Sequence, residues 1–599
     1  MSERSGLAGL FAGPENPVQS LSVQAQVVTT QRRQSQFGVL VGHLLHRFFH
    51  NELLASDDES KRVMLIAYAV ALPGLLVAMF LFPAYHAFPP YPLHRLFWPQ
   101  ASDHYFYVMY SFIVMGAATV YEWDLLFPDL LDIFVLSVLP IAKERLFFAR
   151  VLALGIFLAL VLAGTSALGT IVLPLVAEQH NLFRHLLAHA TAVAMSGVFA
   201  AASFLSLQGV LLNTVGENIF RRITPVLQGV SIMVLLAILL LNPTISSSLE
   251  VLLTSGSPAV RYFPPFWFLG VYERIMGGPS SPQIFHSLAR TGCYALLLVI
   301  GCTLLTYPLA YRRRVRQLIE GARAANSSLR SSTATDGLLH TAVLRLPQQR
   351  AIFHFISQTI LRYQRQRVML ALYGGLCVAL AVAGMLVLRV GSGHIRPALL
   401  PAGIRAAIPV LIFWTVAGFC SVLSSPVDRR GAWIFNIILG RAQAEHLSGT
   451  RLWITLWSAV VSVGAIGALH LLSPDSLRGE HVMAGQLIVA VGLTFLLSDL
   501  FLFSVRKIPF TSVRKSAITD MPLAIVRYVI AFPMFVALTV HFERWIEAST
   551  RHLIETALLF AAAHLLLQGA QMQSVRRSTL DMVESEADDF PQSLGLRDA

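Results

Sequence analysis

The sequence predicts an all-α, polytopic membrane protein with about twelve transmembrane helices in two six-helix halves. The first observation behind this fold class is composition: 55% of the 599 residues are hydrophobic, 13% are charged, and the mean hydropathy is +0.63. A soluble protein is excluded because so few charged residues do not cover the surface of a core of this size. The second observation is that apolar runs long enough to cross a bilayer recur along the whole chain.

A basic segment separates the apolar runs into two groups of six. The first half, residues 63–311, has runs at 63–82, 104–121, 146–175, 186–212, 225–241 and 291–311. The second half, residues 368–570, has runs at 368–389, 404–424, 451–472, 484–504, 521–541 and 550–570. Three cytoplasmic pieces complete the predicted organisation: an N-terminal segment (1–62), a basic linker (312–367) and an acidic tail (571–599).

Basic residues decide the predicted orientation, because cytoplasmic loops carry an excess of Lys and Arg. They occur in alternate loops: Lys61 and Arg62 precede the first span, Arg221 and Arg222 follow the fourth, and arginines follow the sixth. Both termini are therefore predicted to be cytoplasmic. The predicted location of the protein is the inner membrane of a bacterium. This distribution also explains the formal net charge of +12, so no nucleic-acid partner is predicted.

Before the first span, Phe37, Val41, Leu44 and Phe48 fall at helical spacing, with polar residues on the other faces. The run is too short and too charged to cross a bilayer, so we predict an amphipathic helix on the membrane surface. A soluble packed helix is the alternative. No metal site is predicted here, because no carboxylates accompany its three histidines, His43, His46 and His50. The four cysteines lie in apolar runs and indicate neither a disulfide nor a metal cluster.

The stretch between the second and third spans, which begins at Glu122, mixes acidic and apolar residues. This alternation is typical of a helix that lies at the membrane surface. Pro128 starts or kinks the helix and Pro140 ends it, because proline lacks an N–H and fixes φ. An ordinary interfacial loop is the alternative. The candidate functional residues of this stretch are Glu122, Asp124, Pro128, Asp129, Asp132 and Lys143.

A weaker copy of this stretch lies in the second half, between residues 424 and 456. When Pro426 is aligned with Pro128, Asp428 falls near Asp129, and an aromatic and aliphatic stretch follows in both copies. Agreement in position within each half is the useful signal of an internal repeat. We therefore predict two related halves, and the second set of candidates is Pro426, Asp428, Arg429 and Arg430.

The long loop at residues 242–290, predicted to lie outside, contains two short apolar pieces broken by Gly and Pro. These pieces have the length of re-entrant helices, which dip into the bilayer and return. A plain external cap is the alternative, and the sequence does not decide between the two. The second half has no similar loop between its last two spans, so the two halves are not equivalent.

These features together resemble type-2 ATP-binding-cassette exporter permeases. The motif EWDLLFPDLLDIFVLSVLPI after the second span resembles their coupling region. The amphipathic helix, the six-span half and the broken loop before the sixth span resemble their topology. In that family a short cytoplasmic helix between the second and third spans docks on the nucleotide-binding subunit, and the substrate passes between two six-span halves. The resemblance is closer in the first half, and it implies that both halves lie in one chain.

The resemblance also implies an ATP-binding-cassette ATPase as a separate partner subunit, because the sequence has no GxxxxGK[ST] phosphate-binding loop. The ATPases are expected to dock under residues 129–143 and 428–443, and the ATP is expected on the partner, with no cofactor in this chain. Membrane lipids or the ATPases are the expected contacts of the basic linker, with a solvated loop as the alternative. An apolar interior favours a lipid-like or amphipathic substrate, although the sequence identifies neither the substrate nor the direction of transport.

An ion-coupled secondary transporter is the competing prediction, because that class is also commonly built from two related halves. It needs ionisable residues within the spans, and Asp499 in the tenth span and Arg527 in the eleventh are candidates that can also pair with each other. Further candidates are His185, His189, Glu555 and His564. The first six spans contain almost no acidic residues, which favours a permease powered by a partner. A membrane scaffold without transport is a third alternative, and no catalytic constellation indicates an enzyme.

Overall fold

The computed structural model describes residues 36–49, 59–86, 95–123, 126–128, 140–177, 181–215, 217–256, 258–321, 346–391, 394–425, 444–472, 479–503, 509–510 and 526–581. The helices of the first half are α1 (Gln36–Phe49), α2 (Glu59–Tyr85), α3 (Phe97–Tyr121), α4 (Lys143–Val176), α5 (Leu182–Thr214), α6 (Glu217–Leu240), α7 (Asn242–Ser247), α8 (Leu249–Thr254), α9 (Pro258–Tyr262), α10 (Pro264–Gly277) and α11 (Gln283–Gly321). A 3₁₀ turn, Gly278–Ser280, separates α10 from α11.

The linker and the second half contain α12 (Pro347–Arg362), α13 (Gln364–Met385), β1 (Leu386–Gly391), β2 (His394–Leu399), α14 (Pro401–Ser424), α15 (Ala444–Leu472), α16 (Glu480–Leu502), α17 (Phe532–Glu547) and α18 (Thr550–Asp581). A π-helical turn, Val526–Ala531, leads into α17. We name the two ends of the bundle by the predicted orientation. The cytoplasmic end carries α1 and α12, and the outer end carries α7 to α10 and the two strands.

The predicted helical membrane fold is confirmed, because the described residues contain nine helices long and apolar enough to cross a bilayer. They are α4, α5, α11, α13, α14, α15, α16 and α18, together with Ile223–Leu240 of α6. The other three predicted spans fall within α2, α3 and α17, which do not meet this criterion over the residues described. In α2, the side chains are described from Ala71 onward, and Ala71–Tyr85 is apolar. Nine of the twelve predicted spans are therefore matched over the described residues, and the other three stay predictions.

One departure from the all-α prediction lies at the outer end, between α13 and α14. The predicted span at 368–389 stops early, because α13 ends at Met385 and β1 begins at Leu386. β1 pairs with β2 in an antiparallel ribbon. Their register pairs Leu386 with Leu399. Branched aliphatic side chains in β1 favour a strand over a helix. Pro397 is tolerated in β2 because a two-stranded ribbon consists only of edge strands.

The two halves share part of their packing order, although their first spans differ: α2 packs on α4, whereas α13 packs on α14 and α6. In the first half, the surface helix α1 packs on the third span, α4, and the second span, α3, packs on α4, α5 and α6. In the second half, α12 packs on α15, and α14 packs on α15, α16 and α17. The fourth and sixth spans also pair in both halves, as α5 with α11 and as α16 with α18. This agreement supports the predicted internal repeat more strongly than the residue match does.

The helix α12 is the counterpart of α1, and the sequence analysis did not predict it. Both helices bury apolar side chains at positions i, i+1 and i+4 against their own half. In α1 these residues are Leu40, Val41 and Leu44, and in α12 they are Ile352, Phe353 and Ile356. Part of the segment predicted as a basic linker is therefore an amphipathic helix that belongs to the second half.

The halves meet where α6 packs on α13. A Cβ atom added to Gly229 would lie 2.9 Å from the Cβ of Ala371, and one added to Gly375 would lie 3.2 Å from the backbone nitrogen of Met233. Small residues therefore let the two helices approach closely, as is common between membrane helices. A two-fold arrangement of the halves predicts similar packing of α17 on α2. Within the described residues, however, α17 packs on α14, α16 and α18.

The short helix α10 is packed into the first half rather than lying over it. It contacts α3, α5 and α11, and the rings of Trp267 and Phe268 lie 5.8 Å and 5.4 Å from the ring of Phe199. Phe199 is about 25 Å along α5 from its start, at a rise of about 1.5 Å per residue. This depth favours a re-entrant helix over an external cap. At the end of α10, Arg184 of α5 donates a hydrogen bond to the carbonyl of Ile275 (2.5 Å).

Candidate functional site

We call the chain between α3 and α4 the α3–α4 segment. Its described start is buried at the cytoplasmic end of the first half. Trp123 and Leu126 are fully buried, and Phe127 is 3% exposed. Leu126 and Phe127 belong to the same apolar cluster as Leu40 and Leu44 of α1. One packed unit is therefore formed by the described start of the α3–α4 segment, the surface helix α1, the start of the third span and the end of the sixth.

Four side chains from four different helices donate hydrogen bonds to backbone carbonyls at the end of α3 and in the α3–α4 segment. Gln228 of α6 donates to Val120 (3.3 Å), Gln208 of α5 to Trp123 (2.8 Å), Tyr307 of α11 to Leu126 (2.6 Å) and Arg150 of α4 to Phe127 (2.5 Å). All four donors are buried. These hydrogen bonds satisfy backbone carbonyls at and beyond the end of α3, where the regular helical hydrogen bonds stop. We call these four residues the anchor residues.

The structure describes three of the predicted docking candidates, Glu122, Pro128 and Lys143. Glu122 is 6% exposed at the end of α3 and Pro128 is buried, so neither presents a free surface to a partner. Both residues belong to the anchored start of the segment, and their predicted role in docking stays a prediction. Lys143 is exposed at the start of α4. Asp124, Asp129 and Asp132 lie outside the described residues, as do Pro426, Asp428, Arg429 and Arg430, so their predicted contacts stay predictions.

The corresponding position of the second half is held differently. After α14, the carbonyl of Leu423 accepts a hydrogen bond from the backbone N–H of Phe510 (2.7 Å). Phe510 adopts a φ of 67°, an uncommon conformation for a residue with a side chain. Its ring lies 5.9 Å from the ring of Phe355 in α12. A backbone contact from a neighbouring loop thus occupies the place where the first half uses side chains from its spans.

A second group of polar side chains is buried near the outer end of the first half. Nδ1 of His104 in α3 hydrogen bonds to Oε1 of Glu273 in α10 (2.7 Å). The Tyr272 hydroxyl, also in α10, hydrogen bonds to Nε2 of His185 (2.8 Å) and Nδ1 of His189 (3.2 Å), both in α5. The ring of Tyr272 stacks on His104 at 4.1 Å. We call these five residues the outer polar cluster.

An ion pair borders this cluster towards the outer surface. Arg95 donates two hydrogen bonds to Asp103, at 2.7 Å and 2.8 Å, and the Tyr85 hydroxyl donates a third at 3.0 Å. Burial lowers the pKa of Arg95, but the hydrogen bonds and the negative charge of Asp103 raise it more, so that its pKa lies above the ordinary value. Asp103 and Glu273 are both buried although both lie outside the predicted spans, so the first half contains buried acids that a count within its spans does not include.

Asp499 is the centre of a third polar group, near the cytoplasmic end of the second half. It is 1% exposed, with Nε of Arg451 at 3.1 Å and Nδ1 of His564 at 2.5 Å. Gln571 of α18 contacts Arg451 and donates to the carbonyl of Leu502 (2.8 Å). The predicted partner, Arg527, lies in the π-helical turn, and its side chain is outside the described part of the chain.

The anchor residues and three members of the outer cluster were not found by sequence reasoning, which did select His185 and His189. In the sequence, the residues that were missed are marked only by a polar side chain within an apolar run, as for Gln208, Gln228 and Arg150. Polar residues inside membrane helices are rare, because they need partners there, and so they mark contacts. Over the described residues, no group of three or more His, Cys, Asp or Glu has an arrangement that could hold a metal ion.

Comparisons with protein-family models, with curated proteins and with solved structures found no match for this chain. Its class therefore follows from its own architecture, that of an α-helical integral membrane protein.

Proposed function

We propose that the protein is the membrane permease of an ATP-binding-cassette exporter, with both six-span halves in one chain and energy supplied by separate ATPase subunits. The proposal places the chain in a bacterial inner membrane, with twelve spans and both termini in the cytoplasm. The proposed substrate is lipid-like or amphipathic.

The observation that carries this proposal is the anchoring of the α3–α4 segment. A segment that transmits force from a docked ATPase must be connected to the helices that it moves. Through Arg150, Gln208 and Tyr307, the start of this segment is hydrogen bonded to three of the other spans at once. Gln228 of a fourth span donates to Val120 at the end of α3. A passive loop needs no such connections, because water can satisfy its carbonyls.

Two further observations support the proposal. The surface helices α1 and α12 occupy equivalent places in the two halves, against α4 and α15. The helix α10 lies before the sixth span, as the resemblance implies for the broken loop of an exporter half. Among the described residues, α6 packs on α13, but α17 does not pack on α2 in the same way. The two halves can therefore differ in how they take part in transport.

The test is purification of the tagged full-length protein in mild detergent, scored for co-purifying chains and ATPase activity. We expect a stoichiometric ATP-binding-cassette subunit, which is lost when residues 128–132 (PDLLD) are scrambled. Scrambling residues 588–592 (DDFPQ) is a matched control, because this stretch also contains one proline and two aspartates. Recovery of the ATPase with the first variant and the control alike would contradict docking at this segment.

An ion-coupled secondary transporter is the second candidate, favoured by buried acids in both halves. Glu273, Asp103 and Asp499 are each less than a tenth exposed, and each contacts a histidine or an arginine. Such pairs are the kind of site that binds a coupling ion. Purification of a single chain without ATPase activity would favour this candidate, and an ion gradient that drives uptake into proteoliposomes would then establish it.

A further inference from the structure

The outer polar cluster takes no part in the proposed docking, and its geometry indicates a separate property. Its central pair consists of His104, which is 2% exposed, and Glu273, which is 4% exposed. They belong to different elements, α3 and α10, so their hydrogen bond is a direct connection between a span and the re-entrant helix. Anything that changes this bond changes how firmly α10 is held.

The charge of Glu273 has to be compensated, because an isolated carboxylate in a protein interior costs several kcal/mol. The nearby arginines are committed elsewhere: Arg95 is paired with Asp103, and Arg184 donates to the carbonyl of Ile275. Arg274, on the other face of α10, contacts His286 of α11. The group that faces Glu273 and can carry a positive charge is therefore His104.

The remaining titratable members of the cluster do not replace His104. Tyr272 carries no charge at neutral pH, because a tyrosine hydroxyl is ordinarily protonated there. His185 and His189 both face the hydroxyl of Tyr272 rather than Glu273. On the outer side, Asp103 has Arg95 and the hydroxyl of Tyr85 as partners, and Tyr107 of α3 donates to the carbonyl of Gly74 in α2 (2.8 Å).

We propose that His104 and Glu273 form a proton-binding site, and that the proton held there keeps α10 seated against α3. Nδ1 of His104 lies 2.7 Å from Oε1 of Glu273, while Nε2 is buried and has no hydrogen-bond partner among the described residues. A proton from solution that the pair takes up turns the imidazole into an imidazolium ion, whose charge compensates the carboxylate. Loss of that proton leaves the carboxylate uncompensated, and α10 loosens.

The site binds protons and does not conduct them through the membrane. Below His189, two serines of α3 and α5 are engaged with the backbone of the opposite helix. Ser111 donates to the carbonyl of Val193, and Ser196 donates to that of Val108, each at 2.9 Å. Among the described residues, the hydrogen-bonded cluster thus ends in the outer part of the bundle, so protons enter and leave at the outer end.

Hydrogen–deuterium exchange of the full-length protein in lipid nanodiscs tests this proposal, read on residues 264–277 between about pH 5 and pH 9. After correction for the intrinsic pH dependence of exchange, we expect α10 to exchange about tenfold faster at the alkaline end, a factor that corresponds to about 1.4 kcal/mol. The direction follows from a proton that stabilises the seated state and is lost as the pH rises. Equal corrected exchange across this range would overturn the proposal.

Two substitutions are expected to change the pH response in opposite ways. Glu273→Gln replaces the carboxylate by a neutral amide, so α10 stays protected at every pH. His104→Gln keeps the carboxylate but removes the imidazole that compensates it, so α10 exchanges faster than in the wild-type protein at neutral pH. The matched control is Glu250→Gln on the exposed face of α8, which should keep the wild-type response.

The wild-type protein and Glu250→Gln alone decide the matter if neither cluster variant folds. A wild-type pH response in Glu273→Gln would contradict the proposal. So would a response that a metal chelator abolishes, because the ligand of the cluster would then be a metal ion. The inference does not depend on the proposed ATPase partner, since every measurement uses the isolated chain.

Discussion

The two halves share part of their packing order and bury different charged groups. Near the outer end, the first half buries Glu273 against His104 of α3, with α10 providing one side of that cluster, whereas the second half buries Glu543 and pairs Glu547 with Arg405 of α14. A further charged group, that of Asp499, Arg451 and His564, lies near the cytoplasmic end of the second half, and no helix equivalent to α10 is found there among the described residues. The difference teaches that two halves with a similar arrangement of helices can contain different polar sites.

The cytoplasmic ends differ in a related way. The first half anchors the described start of the α3–α4 segment with side chains of three spans, whereas at the corresponding position of the second half the backbone N–H of Phe510 donates to the carbonyl of Leu423. A segment held by several spans moves with them, and one held by a neighbouring loop need not. We infer that the first half contains the principal coupling connection, and the predictions below test this asymmetry.

The largest effect is expected at the charge group of the second half. Asp499→Ala leaves Arg451 without its partner, and breaking a buried ion pair typically costs about 3–5 kcal/mol of the free energy of unfolding. Denaturation in detergent measures this loss, and removing Arg451 as well should restore part of it. Glu555→Ala, which removes an exposed i,i+4 pair with Arg551, is the control and should cost about 0.3–0.5 kcal/mol. Equal costs would show that Asp499 is not a structural centre.

The next largest effect is expected at the anchor residue Arg150. Arg150→Met removes the donor to the carbonyl of Phe127, and a hydrogen bond to a charged group contributes about 1.5–3 kcal/mol. We expect this loss in thermal unfolding, together with a loss of ATPase stimulation in the assembled complex. Arg145→Met, at an exposed position of the same helix, should change neither. Full stimulation in a folded Arg150→Met protein would remove the basis for calling the segment coupled.

The sequence was a good guide to the helices and a poor guide to the contacts between them. Runs of apolar residues located α4, α5 and α14 to within a few residues, because the bilayer sets the length of a span. The strand β1 was predicted as the end of a helix, since a short apolar run fits either structure. The helix α12 was hidden in a linker judged by its charge, although Ile352, Phe353 and Ile356 repeat the spacing of α1.

The candidate sites were harder to predict, because they depend on which helices meet. Pro128 and Glu122 were recognised from local sequence, but the partners of the segment lie up to 181 residues away, as for Tyr307 and Leu126. Glu273 was assigned to an external loop, so its approach to His104 was not foreseen. Single polar residues in apolar helices are visible in the sequence, whereas their partners follow only from the packing.

A further prediction concerns α10, which the second half lacks over its described residues. A Cβ atom on Gly270 would lie 2.7 Å from the backbone nitrogen of Ala289, so Gly270→Ala forces α10 away from α11. We expect a loss of about 1–3 kcal/mol, as for other overpacked sites. Gly301→Ala, in α11 with nothing within 4 Å, is the control and should be neutral or slightly stabilising. Equal thermal stability of the two variants would mean that α10 does not depend on this close approach.

The smallest effect gives the sharpest comparison between the halves. Gln208 donates to the carbonyl of Trp123 in the first half, and Gln571 donates to that of Leu502 in the second, both at 2.8 Å. Replacing either residue by Leu leaves a buried carbonyl without its donor, and each should cost about 1 kcal/mol of stability. Their effects on coupling should differ, because only Gln208 connects to the α3–α4 segment. ATPase stimulation should therefore fall with Gln208→Leu and persist with Gln571→Leu, whereas an equal fall would place the coupling connection in both halves.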